Sequence, residues 1–442
     1  MFSRAIHNRV TALTPGPSVR LRLAYALFLL AGVASAAIVP LLPRLADRYG
    51  LSTSATALLL GLPGLATLAV SVPAGLAADR FGARRVTLGA SALLVVSCVL
   101  QAAPSLIALL LGRVVFGIAF GVVWTSGMAW VADFDGGGGS RLGPTVTCSS
   151  VGVMAGPAVG GILGQHAGLG APFAAIAVAV GMVTIPLALG STAAQDAPAG
   201  GHERAAAGGP EPDGAPRHAV SARSLLALVR RPVVGAAAAA LAISGAVASS
   251  SQLLISGGLH HLGMSTDRIG LAFSAAAVCY IAVSAGVVRL GRRVRTLRFN
   301  ALAAVVLALA LVPALAGGGA FALVAALMIS AAPRAAIGTI AYSLAAGDSA
   351  QPAGGEGFVF GMLNGAWAAA TVLMPLLAGA LEQSSGARAG FLGVIIPSCA
   401  LAAWLVARAT GGESGGGGRV RRPRVRLGWL RPAAAGGWHA GD

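Results

Sequence analysis

Twelve long stretches of this chain are nearly free of charge, and each is about as long as a bilayer is thick. They lie near residues 22–43, 54–78, 86–103, 105–132, 143–164 and 171–190, then 233–257, 267–288, 297–316, 319–343, 357–381 and 387–408. A run of about 20 apolar residues spans the hydrocarbon core as a helix, because the backbone must satisfy its own hydrogen bonds where water is missing. The balance of the whole chain agrees: 56% of its residues are hydrophobic and 10% are charged, against roughly a quarter charged in a soluble domain. The expected fold class is an all-α membrane protein, with 12 transmembrane helices in two pseudo-symmetric six-helix bundles. The start "VRLRLAYALFLLAGVASAA" has the basic, apolar and small-residue order of a signal peptide, but the six-plus-six count needs it as the first helix.

The residues between the runs set the organisation. Residues 191–232, rich in Ala, Gly and Pro with mixed charge, read as a flexible linker between bundles 22–190 and 233–410. Residues 1–21 read as a cytoplasmic N-terminal segment, and 411–442 as a disordered basic cytoplasmic tail whose arginines suit anionic headgroups. With the N-terminus inside, 25 of the 31 basic residues fall in cytoplasmic segments, and only Arg44, Arg48, Arg268 and Arg388 fall in outer loops. That bias places both termini in the cytoplasm of a multi-pass cell-membrane protein, and it accounts for the net charge of +17 without nucleic acid.

All the basic residues are arginine. Without lysine, "DGGGGSR" (Asp135 to Arg141) is no phosphate-binding loop, and a lysine Schiff base is excluded. Cys98, Cys148, Cys279 and Cys399 are scattered singly in apolar runs, so they read as small buried hydrophobes and give no metal site or disulfide framework. No cofactor and no enzyme activity are expected.

The halves echo each other. "DRFGARRVTL" (Asp79 to Leu88) follows the second run, and "VRLGRRVRTL" (Val288 to Leu297) follows the eighth. Gly361, Pro375 and Gly379 repeat the spacing of Gly143, Pro157 and Gly161. Two related six-helix halves are the parallel-repeat plan of secondary transporters.

Three motifs carry a resemblance to the major facilitator superfamily. "GLAADRFGARR" resembles its loop motif between helices two and three, with Gly75, Asp79, Arg80, Gly82 and Arg84 matching and Ala77 and Ala83 departing. The charge cluster on a tight turn would latch the inner ends of the bundles, with Asp133 as a partner for Arg80 or Arg84; a merely topogenic positive loop is the alternative. "GRVVFGIAFG" (Gly112 to Gly121) resembles the helix-four motif, in which Arg113 faces the cavity. An intramembrane cation binds an anionic group or tunes a proton carrier, or else it snorkels to the interface.

The third motif is the helix-five pattern G-x8-G-x3-G-P-x2-G-G, matched without a gap by Gly143, Gly152, Gly156, Pro157, Gly160 and Gly161. In that family it is associated with drug and metabolite antiporters. Gly152, Gly156 and Gly160 share one helix face, where a neighbouring helix can approach closely. Pro157 adds a kink. A packing groove without any bearing on antiport is the alternative.

The resemblance implies the drug:proton antiporter branch. The expectation is a monomeric exporter of a hydrophobic or amphipathic small molecule, working by alternating access and driven by a proton gradient. The proton carrier is not evident: no acid lies near a helix midpoint, Asp133 and Glu382 sit near helix ends, and His260 and His261 fall in an outer loop. Arg113, Trp124, Gln252, Tyr280, Arg334, Asn364 and Trp367 sketch the substrate cavity. An importer, symporter or facilitator of an organic anion, with Arg113 and Arg334 as binding cations, is the first alternative. A non-transporting membrane sensor is the second.

Overall fold

The structure is a computed structural model that describes residues 17–132, 141–189, 231–294, 296–317, 319–346 and 356–411. The tail, most of the linker and Asp133 lie outside the described residues.

Among the described residues, 12 helices are long and apolar enough to cross a membrane. The first bundle holds α1 (Pro17–Ala36), α2 (Thr53–Phe81), α3 (Ala83–Ala102), α4 (Leu106–Ala132), α5 (Leu142–Ala167) and α6 (Ala171–Leu189). The second holds α7 (Pro232–His261), α8 (Thr266–Leu290), α9 (Leu297–Leu309), α10 (Gly319–Ala346), α11 (Glu356–Ser385) and α12 (Ala387–Gly411). A 3-10 turn, Val39–Leu41, carries α1 on into the short helix Leu42–Tyr49. Each bundle has its own apolar core, built around Phe28, Leu94 and Phe173 in the first and Leu241, Leu307 and Ile337 in the second.

Local chemistry sets the helix ends. The Ser52 hydroxyl accepts from the amide of Ala55 to start α2, and Thr296 caps α9 in the same way through Phe299. Gly82, at φ 90°, ends α2 and lets α3 begin at the next residue. α7 continues past the expected boundary to His261, so His260 and His261 belong to its last turn and not to a loop. The apolar run ends before the helix does, because a turn at the membrane edge tolerates polar side chains. All four cysteines are free; Cys98 is buried, and Cys148, Cys279 and Cys399 are only half-buried, which corrects the uniform burial expected for them.

The packing repeats between bundles. α1 packs on α5 and α6, as α7 packs on α11 and α12; α2 packs on α4, as α8 packs on α10. Across the bundles α5 meets α8, and its counterpart α11 meets α2. In lipid no hydrophobic effect drives apolar helices together, so close backbone packing has to. The α5 glycines provide it: a Cβ at Gly152 or Gly160 would strike the carbonyl of Leu29 or Ala37 on α1, and one at Gly156 would lie 2.7 Å from Val33 O. α1 answers with Gly32, placed against Ser149 O.

Gly156→Leu should therefore force α1 and α5 apart and cost about 1–3 kcal/mol. Gly143→Leu, where nothing lies within 4 Å, should change stability by less than about 0.5 kcal/mol. Thermal melting of the two detergent-purified variants checks the contrast; equal losses would mean that α5 does not pack through this face.

Candidate functional site: the seam and cleft between the bundles

The end where α6 stops and α7 starts is here called the linker end, and the opposite end the far end. The bundles are joined from the far end to about mid-depth. On one side Gly161 of α5 lies against Thr266, Asp267 and Gly270 of α8, and Gly270 lies in turn against Pro157 O. α5 runs unbroken as helix through Pro157, and the next amide, Ala158 N, donates to Ser274 Oγ of α8 at 3.0 Å. On the other side Gly379 of α11 lies against Thr53 and Ser54 of α2, and Gly61 and Gly64 face Val372. Val39 and Ala57, from the first bundle, take part in the second bundle's core.

Each seam carries a glutamine that accepts from the helix start opposite it. Gln165 Oε1 accepts from Thr266 N at 3.3 Å, and Gln383 Oε1 accepts from Ser54 Oγ at 3.2 Å. Each glutamine lies four residues after the seam glycine of its helix. The helix starts they meet are themselves a repeat, Gly50-Leu51-Ser52-Thr53-Ser54 and Gly263-Met264-Ser265-Thr266-Asp267, in which both glycines have positive φ. In the same register Asp47 is equivalent to His260, and these two meet: His260 Nε2 and Asp47 Oδ2 are 2.9 Å apart. Equivalent positions that touch lie on the axis relating the halves. A polar cleft of about 760 Å³ surrounds the pair, lined by Arg44, Arg48, Gln165 and Thr266 among others. The sequence reading missed this cluster, although the repeated five-residue stretch was there to mark it.

Toward the linker end the glycines of the same four helices meet nothing of the opposite bundle. Gly75 has only Thr125 of its own bundle near it, and Gly143, Gly286 and Gly365 have nothing within 4 Å. Asp79 and Arg80 are exposed, with Arg80 lying over the Phe81 ring. Arg84 is buried and donates to Leu187 O at 2.6 Å, so it ties the loop motif to α6 of its own bundle. The contacts across the bundles described above thus all lie from the far end to about mid-depth.

The seven candidate cavity residues divide into two groups. Arg113 is 2% exposed; its Nε donates to Leu59 O of α2 at 3.3 Å, and its guanidinium lies over Phe116, so it is sealed inside the first bundle. Gln252 is half-buried on α7, and its carbonyl accepts from Ser256. The others lie from mid-depth toward the linker end of their helices. Trp124 is 37% exposed, stacks on Phe120 and meets Phe28 edge-on. Arg334 of α10 lies 5.7 Å from the ring centroid of Tyr280 on α8. Tyr342 of α10 donates to Asn364 Oδ1 of α11 at 2.5 Å, and Asn364 and Trp367 are exposed. Intramembrane polar groups are costly against lipid, which favours a water-accessible cleft as their surroundings.

Two six-helix bundles of membrane-spanning length, related as repeats and meeting on paired seams, are the architecture of a membrane transporter. Residues 24–355 match the Major Facilitator Superfamily, and the chain belongs to that family. A 127-residue stretch is 38% identical to the MFS-type transporter ppzB of Metarhizium rileyi, and a 145-residue stretch is 34% identical to the uncharacterized MFS-type transporter C18.02 of Schizosaccharomyces pombe. These matches take in 28% and 31% of this chain, and 26% and 32% of the two relatives. The whole fold is similar to that of a bacterial homolog of the human lysosomal transporter Spinster, solved inward-facing and unoccupied, with a TM-score of 0.69 at 15% identity over 90% of this chain and 96% of that one. A peptide transporter of the POT family in complex with alafosfalin aligns with a TM-score of 0.68 at 15% identity, over 91% and 98% of the two chains.

Replacing Gln165 and Gln383 together with Ala removes one polar contact from each seam. At about 1 kcal/mol for the two together, the far end should open roughly fivefold more often. The maleimide labelling rate of Ala57→Cys, a fully buried seam position, reads that change, and an unchanged rate would remove the glutamines from the closure.

Proposed function

We propose that this chain is a cell-membrane secondary transporter that exports a hydrophobic or amphipathic small molecule by alternating access, as a monomer and in exchange for protons. The observation that carries the reading is the pair of glycine seams that join the bundles at the far end, with no such glycine contact toward the linker end, where a cleft would open. The arginine bias puts the linker end in the cytoplasm, so the cleft would load from inside the cell. Gly75, Asp79, Arg80 and Gly82 would then stand on the cytoplasmic rim, free to latch when the cleft closes. The complete helix-five pattern supports exchange over import. Its glycines place α5 against α1 and α8 at once, so movement at the seam is transmitted to the first bundle's packing.

A second reading has a specific observation behind it. The described acids Asp47, Asp79, Asp267, Glu356 and Glu382 all lie near helix ends, whereas Arg334 lies in the middle of α10 with its Nε buried and without a hydrogen-bond partner. That balance favours a facilitator of an organic anion. Everted vesicles separate the two: an antiporter should alkalinise their acidified lumen when substrate is added, and flux that ignores the pH gradient would reject proton exchange. A compound screen in an efflux-deficient host, scored by growth with and without the chain, supplies the substrate for that assay.

A further inference from the structure

From mid-depth toward the linker end the two bundles carry unlike side chains. On the second bundle Arg334, Gly338 and Tyr342 stand one turn apart along α10. Tyr280 reaches over from α8 and sets its hydroxyl against Gly338, where a Cβ would lie 2.9 Å from it. Its ring therefore lies between Arg334 and Tyr342, under the guanidinium, and Asn364 of α11 closes the row by accepting from Tyr342. Since α8 and α11 are the second bundle's seam helices, the α10 face they flank is turned toward the first bundle.

Arg334 is half-buried, its Nε is buried without a hydrogen-bond partner, and no described carboxylate pairs with it. The Tyr280 face holds the guanidinium flat by cation–π contact but neutralises none of its charge. A guanidinium carries five N–H donors in a planar fork that matches a carboxylate, sulfonate or phosphate. Leaving it unpaired inside a membrane protein is costly unless a ligand completes it.

On the first bundle, Trp124 lies 18 residues into α4, about 27 Å along the helix, and on the second Arg334 lies 15 residues into α10, about 22 Å along. Both helices run from the far end, so the two residues stand at similar depth. Trp124 continues a ladder of stacked rings, with Phe120 at 6.1 Å and Phe116 a further 5.6 Å on. The first bundle therefore offers a flat apolar surface where the second offers a cation.

The geometry points to a substrate with a flat aromatic body and one anionic group. Arg334 takes the anion bidentately, and Trp124 takes the ring. The inference rests on the proposed transport role, but its test needs no gradient. Purified protein in nanodiscs is titrated with 2-naphthoate, the neutral 2-naphthamide and the cationic 2-naphthylmethylammonium, reading Trp fluorescence and calorimetric heat. The carboxylate should bind at least about tenfold tighter than the amide, as a charge-assisted pair in a partly dry site does, and the cation weakest.

Arg334→Gln should abolish that preference without abolishing amide binding, and Arg334→Lys should keep part of it. Equal binding of the carboxylate and the amide by the unaltered protein would overturn the assignment, whether or not the variants fold. So would a preference that survives Arg334→Gln. Failure of export in vesicles with the binding preference intact would reject the transport reading and leave this subsite standing.

Discussion

Everything in this fold depends on how closely helices can approach where water does not push them together. The α5 face resolves it with glycine. Gly152, Gly156 and Gly160 let the α1 backbone lie where side chains would otherwise stand, while Gly161 and the Pro157 carbonyl turn toward α8. One helix is thus fastened to its own bundle along one face and laid against the other bundle along the next. α11 repeats the second contact through Gly379, against the start of α2. The two bundles meet on two small-residue seams, which hold by fit and by a few polar contacts. Surfaces of that kind can part without exposing a large apolar interface.

The polar contacts are placed where that parting would begin. Gln165 and Gln383 each reach a helix start of the opposite bundle, and Asp47 meets His260 on the axis. At a membrane edge such contacts compete with water and contribute about 1 kcal/mol each or less. That strength suits a closure able to open, as the proposed transport cycle requires. Ser274 adds one bond across the seam by accepting from the amide that follows Pro157.

Much of this was legible from residue order. Hydropathy located all 12 spans, since a bilayer demands long apolar helices and little else, and the Gly143 to Gly161 spacing marked a packing face. The partners of that face were not legible. Gly160 and Gly161 are neighbours in sequence and touch different bundles, because adjacent helical positions point about 100° apart. Arg113 looked like a cavity cation, yet neighbouring packing seals it against Leu59 and Phe116. Arg334 carried no motif, and the Tyr280 ring it lies over comes from another helix. His260 was assigned to a loop because hydropathy falls before the helix ends. The glutamines were overlooked because a single Gln has no signature; their identical offset from Gly161 and Gly379 becomes visible only when the repeats are aligned.

The central claim is that the far-end seams open and close while the cleft between the bundles changes the side it faces. Cross-linking Ser54→Cys to Gln383→Cys, in a chain whose four native cysteines are replaced, clamps one seam shut. A membrane-impermeant maleimide applied to either face of oriented proteoliposomes then reports access to Asn364→Cys. Without the cross-link, labelling is predicted from both faces; with it, from the linker face alone. Labelling from the far face through a clamped seam, or from the linker face alone before clamping, would contradict the account.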